Sequence, residues 1–480
     1  MEILKSKALP KGRSQEFLIL IILILSIKSI GELHAQVEID YSKRLNVLFI
    51  AIDDMNDWTT LFDDDNPIQT PNLKRLAKRG TFFSRGYCVV PACTPSRTAV
   101  LTGYSPMTSG SYENQDFLRK MVPDAVTLPD YFRINGYSAM GAGKIFTHFN
   151  GAKGGDPAGK SFDEFQEMLP IRTLGKNYNG YTENEAPLNI THFDWGEHNQ
   201  KMIDIDMVEY VEKVMELPWE KPMFLAAGIF TPHLPFYAPR ETFKRYPIAR
   251  TQVPLFPAGD LNDVPSIGRE LAHREHFIFE NVMKAEPGSE GSYVRMVQSY
   301  QASADFADQM VGRLLDKLDA TGKSDNTIIV LWSDHGYHLG DKESAVKFTL
   351  WEKANRVPFI IVAPGTTTPG SVCDQPVSLL DIYPTLVELT GLPAKTDLDG
   401  ISLVPLLKNP ESEWNHLPIM TMGKGNYAVR SKRWRYIRYK DGTEELYDHG
   451  NDPWEWKNLA SDSTYSNIKN KLDKYLPSLE

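Results

Sequence analysis

The chain has 480 residues, 41% hydrophobic and 24% charged, with a formal net charge of −10. This is the texture of a globular protein with one large domain and a smaller one. The acidic balance gives no general reason to expect a nucleic-acid partner, although a local basic pocket can still take an anionic substrate.

The N-terminus differs from the rest. Lys5, Lys7, Lys11 and Arg13 form a positive leader, an apolar run extends from Phe17 to Ile27, and a polar stretch leads to Ala35. This tripartite pattern predicts a secretory signal peptide over residues 1–35. The apolar run is too short to span a bilayer comfortably, so the membrane is expected only during export; an uncleaved anchor is the alternative. The chain has only three cysteines, Cys88, Cys93 and Cys373. Exported proteins that depend on disulfides usually carry more, and Cys88 and Cys373 are left either to pair or to stay as buried thiols. With one glycosylation sequon, Asn189-Ile190-Thr191, the expected location is periplasmic or secreted, in a bacterium.

Leu45 to Ile52 reads as a buried strand ending at Asp53-Asp54. Thr70-Pro71 opens a helix, with Thr70 as its cap, and Gly80 closes it. Another helix follows Cys93 and ends near Gly103. Residues 151–196 are rich in Tyr, Asn and Gly and contain Phe193 and Trp195. With residues 239–290 they read as insertions around a pocket, their rings suited to sugar stacking or to the core. Met223 to Ile229 is a second strand. Tyr293 to Ala320 has helical spacing and stops at Gly322. Thr327 to Trp332 is a third strand, ending at Ser333-Asp334-His335, and Pro358 to Val362 is a fourth.

Beyond about residue 400 the pattern changes. Short strands at residues 428–430, 434–439 and 444–447 precede a last helix near Ser466 to Leu476. The expected layout is a catalytic domain over 36–400 and a small antiparallel subdomain over 401–480. Apolar strands alternating with helices imply an α/β fold, a mostly parallel sheet covered by helices on both faces. Ligands of such sheets sit beyond the carboxyl ends of the strands. Two strands end in acidic pairs there, and Asp53, Asp54, Asp334 and His335 offer hard oxygen donors and an imidazole, suited to Ca²⁺ or Mg²⁺. Cys93 begins a helix, in the positive field of its N-terminus, where an oxyanion is also stabilised.

Cys93-Thr94-Pro95-Ser96-Arg97, extended to Leu101-Thr102-Gly103, resembles the signature of type I sulfatases. Asp53-Asp54, Val311-Gly312-Arg313-Leu314-Leu315, Ser333-Asp334-His335-Gly336, Asp381-Ile382-Tyr383-Pro384-Thr385 and Asn451-Asp452-Pro453 match the family in order. The likeness is strongest to the iduronate-2-sulfatase branch, through His335 and the spacing to Lys347. The resemblance implies an alkaline-phosphatase-like fold and a sulfate-ester hydrolase. It implies that a separate maturation enzyme oxidises Cys93 to formylglycine. It implies a divalent metal, Ca²⁺ or else Mg²⁺, held by Asp53, Asp54, Cys93 as formylglycine, Asp334 and His335. Arg97 would orient the site by pairing with an Asp or the formylglycine, and Asp334 would take a proton from the attacking hydroxyl. Lys144 and Lys347 would neutralise sulfate, and His233 would protonate the leaving sugar oxygen. The branch places a histidine three positions after its lysine. Here Thr147 stands there and His148 follows, so His148 is the expected base for breakdown of the sulfated enzyme. The expected substrate is a sulfated oligosaccharide or polysaccharide. Two alternatives compete: a phosphatase or phosphonate monoester hydrolase of the same superfamily, and an exported glycan-binding protein without catalysis.

Overall fold

The computed structural model describes residues 44–147, 161–168, 194–285, 288 and 291–478. The leader, the sequon, Phe193 and His148 lie outside them. Among the described residues, eight strands form the central sheet. From one edge they are Ser371–Cys373, Thr81–Phe83, Phe359–Val362, Thr327–Ser333, Asn46–Ile52, Met223–Ile229, Ser138–Gly143 and Glu164–Gln166. Asn46–Ile52 pairs in parallel with both neighbours.

The central strand shows why this sheet is buried on both faces. Leu48, Ile50 and Ile52 belong to a core shared with helices Ile203–Glu216 and Ser292–Ala320. Val47, Phe49 and Ala51 point the other way, into a core with helices Leu128–Ile134, Cys93–Thr102 and Ile382–Leu389. A strand alternates its side chains between faces, so continuous apolarity is what two covered faces require. Each of these side chains larger than Ala51 contributes about 1.5–3 kcal/mol by leaving water.

Two expectations need correction. The strand Phe359–Val362 runs antiparallel to Thr327–Ser333: the residues between them hold no helix longer than Glu352–Asn355, so no crossover helix carries the chain back to start a parallel strand. Thr70 does not cap its helix. Its hydroxyl faces Thr60 and accepts from the Leu61 N–H, while the free N–H groups of Asn72 and Leu73 donate to Asp308 at 3.0 and 2.8 Å. A carboxylate from a distant helix thus does the work of a local cap. Trp195 is fully buried, so its ring belongs to the core and offers no face to a sugar. Cys88 and Cys373 are separate buried thiols.

The C-terminal strands Ile419–Thr421, Tyr427–Arg430, Trp434–Arg438 and Glu444–Asp448 form an antiparallel sheet. The helix Ser466–Asp473 closes a small apolar cluster of Val429, Tyr436, Leu446 and Leu472 on it. Among the described residues no helix is long and apolar enough to cross a membrane.

Candidate active site

Four neighbouring strands end at one level. Ile52 is in register with both Ile229 and Ser333, and Gly143 with Gly228. The residues that follow therefore enter one space: Asp53-Asp54, Asp334-His335, the segment leading to His233, and Lys144. Lys144 approaches closely because its neighbour strand carries glycine. A Cβ on Gly228 would stand 2.3 Å from the Lys144 carbonyl carbon.

The helix Cys93–Thr102 abuts this edge. Ser96 Oγ donates to the Asp334 carbonyl at 2.6 Å, and Arg97 Nε to Asp334 Oδ2 at 2.8 Å. Arg97 also reaches Asp53 Oδ1 at 3.2 Å and the Lys144 carbonyl. One buried guanidinium thus binds the ends of three strands, as its planar fork of donors allows. Gly103, at φ 72°, ends the helix in the left-handed conformation.

Cys93 Sγ lies 3.1 Å from Lys347 Nζ, 3.3 Å from His335 Nε2 and 3.8 Å from Lys144 Nζ. Lys347 donates to both oxygens of Asp54 at 2.7 and 3.0 Å, and Lys144 pairs with Asp53. Donor atoms of Asp53, Cys93, Asp334 and His335 all lie within 4.8 Å of one another, as do those of Asp54, Cys93 and His233. Every site residue named from sequence falls in this cluster except Arg97, which braces it, and His148, which is outside the described residues. Thr147 is half-buried at the end of its segment.

The histidines are oriented by carbonyls. His335 Nδ1–H donates to the Gly336 carbonyl at 3.0 Å, which leaves a lone pair on Nε2 facing Cys93. His233 Nδ1–H donates to Leu234 at 2.7 Å, which frees its Nε2 likewise. This is the usual way a metal-binding or acid–base imidazole is held. Burial, then Lys144, keeps the His233 imidazole well below its ordinary pKa. Burial raises the Asp54 carboxyl to about 7, although Lys347 opposes it. Burial alone would raise Asp334 too, but Arg97 and then His335 outweigh it and hold that carboxyl well below the usual range.

Sequence reasoning missed the supports. Asp54 has a positive φ of 60°, a conformation costing about 1–3 kcal/mol off glycine. Tyr300 OH holds it by donating to the Asp54 carbonyl at 2.7 Å. Asn114 Oδ1 accepts from Thr94 N at 3.1 Å, satisfying a free N–H at the start of the Cys93 helix. Neither residue carries a local signal: both act across the fold.

The chain sets carboxylates and an imidazole at the ends of parallel strands, facing a helix N-terminus, and its fold is of the alkaline-phosphatase-like class. Its fold is shared by a phosphonate monoester hydrolase from Silicibacter pomeroyi, with a TM-score of 0.75 at 22% identity, covering 90% of this chain and 94% of that one. A protein solved with D-glucosamine-2-N,6-O-disulfate gives a TM-score of 0.70 at 22% identity, over 90% and 96%.

Residues 45–392 match the Sulfatase family, and residues 340–480 match the C-terminal region of N-sulphoglucosamine sulphohydrolase. The chain belongs to the sulfatase family and is a sulfuric ester hydrolase. It is 36% identical over 479 residues to a sulfatase of Formosa agariphila, covering 97% of this chain and 92% of that one. An ulvan-active sulfatase of the same bacterium is 27% identical over 91% and 81%. Human iduronate 2-sulfatase is 28% identical over 72% and 69%.

Proposed function

We propose that this protein hydrolyses sulfate esters of a carbohydrate, with Cys93 matured to formylglycine and a divalent metal, Ca²⁺ in preference to Mg²⁺. The observation that carries it is the surroundings of Cys93: two ammonium groups, an imidazole lone pair and three carboxylates around one sulfur. The sulfur stands where the oxygens of formylglycine would be. A relative named for ulvan and another for iduronate sulfate support a carbohydrate ester.

The residues fit a metal. Asp53, Asp334 and His335 group around Cys93, and Asp54 Oδ1 adds a further hard oxygen 3.4 Å from His335 Nε2. The three carboxylates are matched by Arg97, Lys144 and Lys347. The side chains alone are therefore near neutral, and a divalent ion leaves the pocket positive for an anionic ester. When bound, the metal supplies Lewis-acid polarisation of a sulfate oxygen. Formylglycine, once hydrated, would supply one hydroxyl for attack on sulfur, its proton passing to Asp334, and a second whose deprotonation expels sulfate.

The remaining work belongs to this chain's side chains. Lys144 and Lys347 neutralise the charge that grows on the bridging oxygen. Arg97 fixes Asp53 and Asp334 so that they need not reorganise. His233 Nε2 serves the leaving sugar oxygen. The neighbouring sulfate anion favours its charged form and offsets Lys144. His148 is the base for breakdown of the sulfated enzyme, since Thr147 offers only a weakly basic hydroxyl. The leader 1–35 takes the chain to the periplasm or beyond, where the 36–400 domain does the chemistry and 401–480 covers one side.

The test is a panel of defined sulfated oligosaccharides beside matched aryl phosphate and phosphonate esters. Desulfation of a glycan, with product position read by NMR, supports the reading. Faster turnover of the phosphonate would replace it with the hydrolase reading that the shared fold also admits.

A further inference from the structure

A second feature lies at the same end of the sheet. Asp57 follows Asp54 by three residues, and Lys353 follows Lys347 by six. Asp54 and Asp57 are thus at most about 11 Å apart along the backbone. Both Asp57 and Lys353 line a cleft of 660 Å³ whose far wall is the loop from His449 to Trp456.

Two properties mark this cleft. The first is a pair of indoles. Trp454 and Trp456 are 48% and 38% exposed, with rings 6.0 Å apart and 19° from parallel. Large rings are seldom spent on solvent without a partner. Their direction is imposed from below. Glu455 between them is buried, with φ 59°. Its carboxylate is bound by Arg435 Nε at 2.6 Å, His449 Nε2 at 2.8 Å and the Glu352 N–H at 2.8 Å. Pinning that carboxylate inward turns both neighbours outward. Glu352, His449 and Glu455 lie close enough together for a metal, but Arg430 and Arg435 already neutralise them.

The second property is charge. Seven lysines and arginines line the cleft against five carboxylates, in a chain of net charge −10. Single carboxylates serve two cations each. Asp57 accepts from Lys353 at 2.7 Å and Arg356 at 3.3 Å. Asp374 takes Arg85 at 3.1 Å and Lys432 at 2.5 Å. The shared carboxylates leave donor N–H groups over on these four cations, while Lys342 and Arg433 pair with Asp260 and Asp448 outside the lining. Lys353 Nζ also sits 5.5 Å from the Trp454 ring, placing a cation beside an exposed aromatic face.

We propose that this cleft binds a sulfated polysaccharide at a stretch of chain remote from the ester being cleaved. The C–H face of a pyranose stacks on an indole, and Arg and Lys donors take the sulfates. The inference rests on the carbohydrate reading above and extends it from one ester to a polymer.

The experiment uses Cys93→Ala protein in native gels containing ulvan, ι-carrageenan, chondroitin sulfate or heparin, each beside its desulfated form. At least one sulfated polymer retards the protein and its desulfated form does not. Trp454→Ala with Trp456→Ala weakens that binding at least tenfold, and the paired Phe substitutions restore most of it. Circular dichroism and the melting temperature report whether these exposed substitutions leave the fold intact. In the active enzyme the Trp variants turn over a small aryl sulfate within twofold of the parent. Retardation unchanged in the double Ala variant, no retardation by any sulfated polymer, or preference for single-stranded DNA overturns the proposal. Trp-dependent retardation by an enzyme inactive on every sulfate ester would sink the functional reading and leave the cleft standing.

Discussion

At Cys93 the chemistry is decided by what surrounds the sulfur. Lys347 is 3.1 Å away and also bound to Asp54, so its ammonium cannot swing clear. Lys347→Ala is expected to lower kcat about 10²–10³-fold, the usual cost of losing one preorganised charge donor; steady-state kinetics on an aryl sulfate measures it. The peptide containing Cys93 from active enzyme should show loss of sulfur and gain of an aldehyde by mass spectrometry. Fully active material carrying only the thiol would refute the proposed nucleophile. His148→Ala is expected to form the sulfated enzyme and release it slowly, with the trapped ester visible on the intact protein. Thr147→Ala should turn over nearly normally, and equal mild effects from both would remove His148 from the mechanism.

At the scale of elements, the strand ends and the C-terminal sheet are held by buried charge. Gly228 lets the Lys144 backbone approach its strand. Gly228→Ala should cost about 1–3 kcal/mol in unfolding free energy and lower turnover by displacing Lys144. A variant with parental stability and activity would show that the approach is not tight. In the C-terminal sheet, Arg435 is fully buried and bound to Glu352 and Glu455. Arg435→Ala takes one buried ion pair from each carboxylate, leaving Arg430 on Glu352 and His449 on Glu455, and should cost about 3–5 kcal/mol. Burial opposes ionisation of Glu352, but Arg430, His449 and Arg435 together hold its carboxyl well below the usual range. A depressed carboxyl adds stability that is present above the unfolded pKa of about 4.3 and lost as pH falls through the folded one. Melting temperature should therefore decline below about pH 4, with a shallower decline in Glu352→Gln.

For the whole molecule, the metal is expected to join the strand ends that Arg97 already links. Exhaustive chelation should abolish turnover and lower the melting temperature, and Ca²⁺ should restore both better than Mg²⁺. Full activity with no metal found by elemental analysis would overturn this. The fold is common to a phosphonate monoester hydrolase and to a protein bound to a sulfated glucosamine, so the fold alone does not choose the ester.

Much of the protein is legible in its amino-acid sequence. The continuous apolar runs at residues 45–52, 223–229 and 327–332 mark buried strands, because only a strand covered on both faces lacks polar alternation. Cys93 to Arg97 and the two acidic pairs mark the site, because those side chains come from short contiguous segments. What depends on distance in space is not legible there. Asp308 capping a remote helix, Tyr300 holding Asp54, and Arg97 depressing Asp334 each join residues more than two hundred positions apart. The reversed direction of Phe359–Val362 is equally hidden, since an apolar run reads the same either way. So is the outward turn of Trp454 and Trp456, which depends on a buried carboxylate between them and its partners from other segments. Local composition determines which segments are buried and which chemistry they carry; only tertiary packing decides which charges meet, and hence which carboxylate stays ionised and which ring faces water.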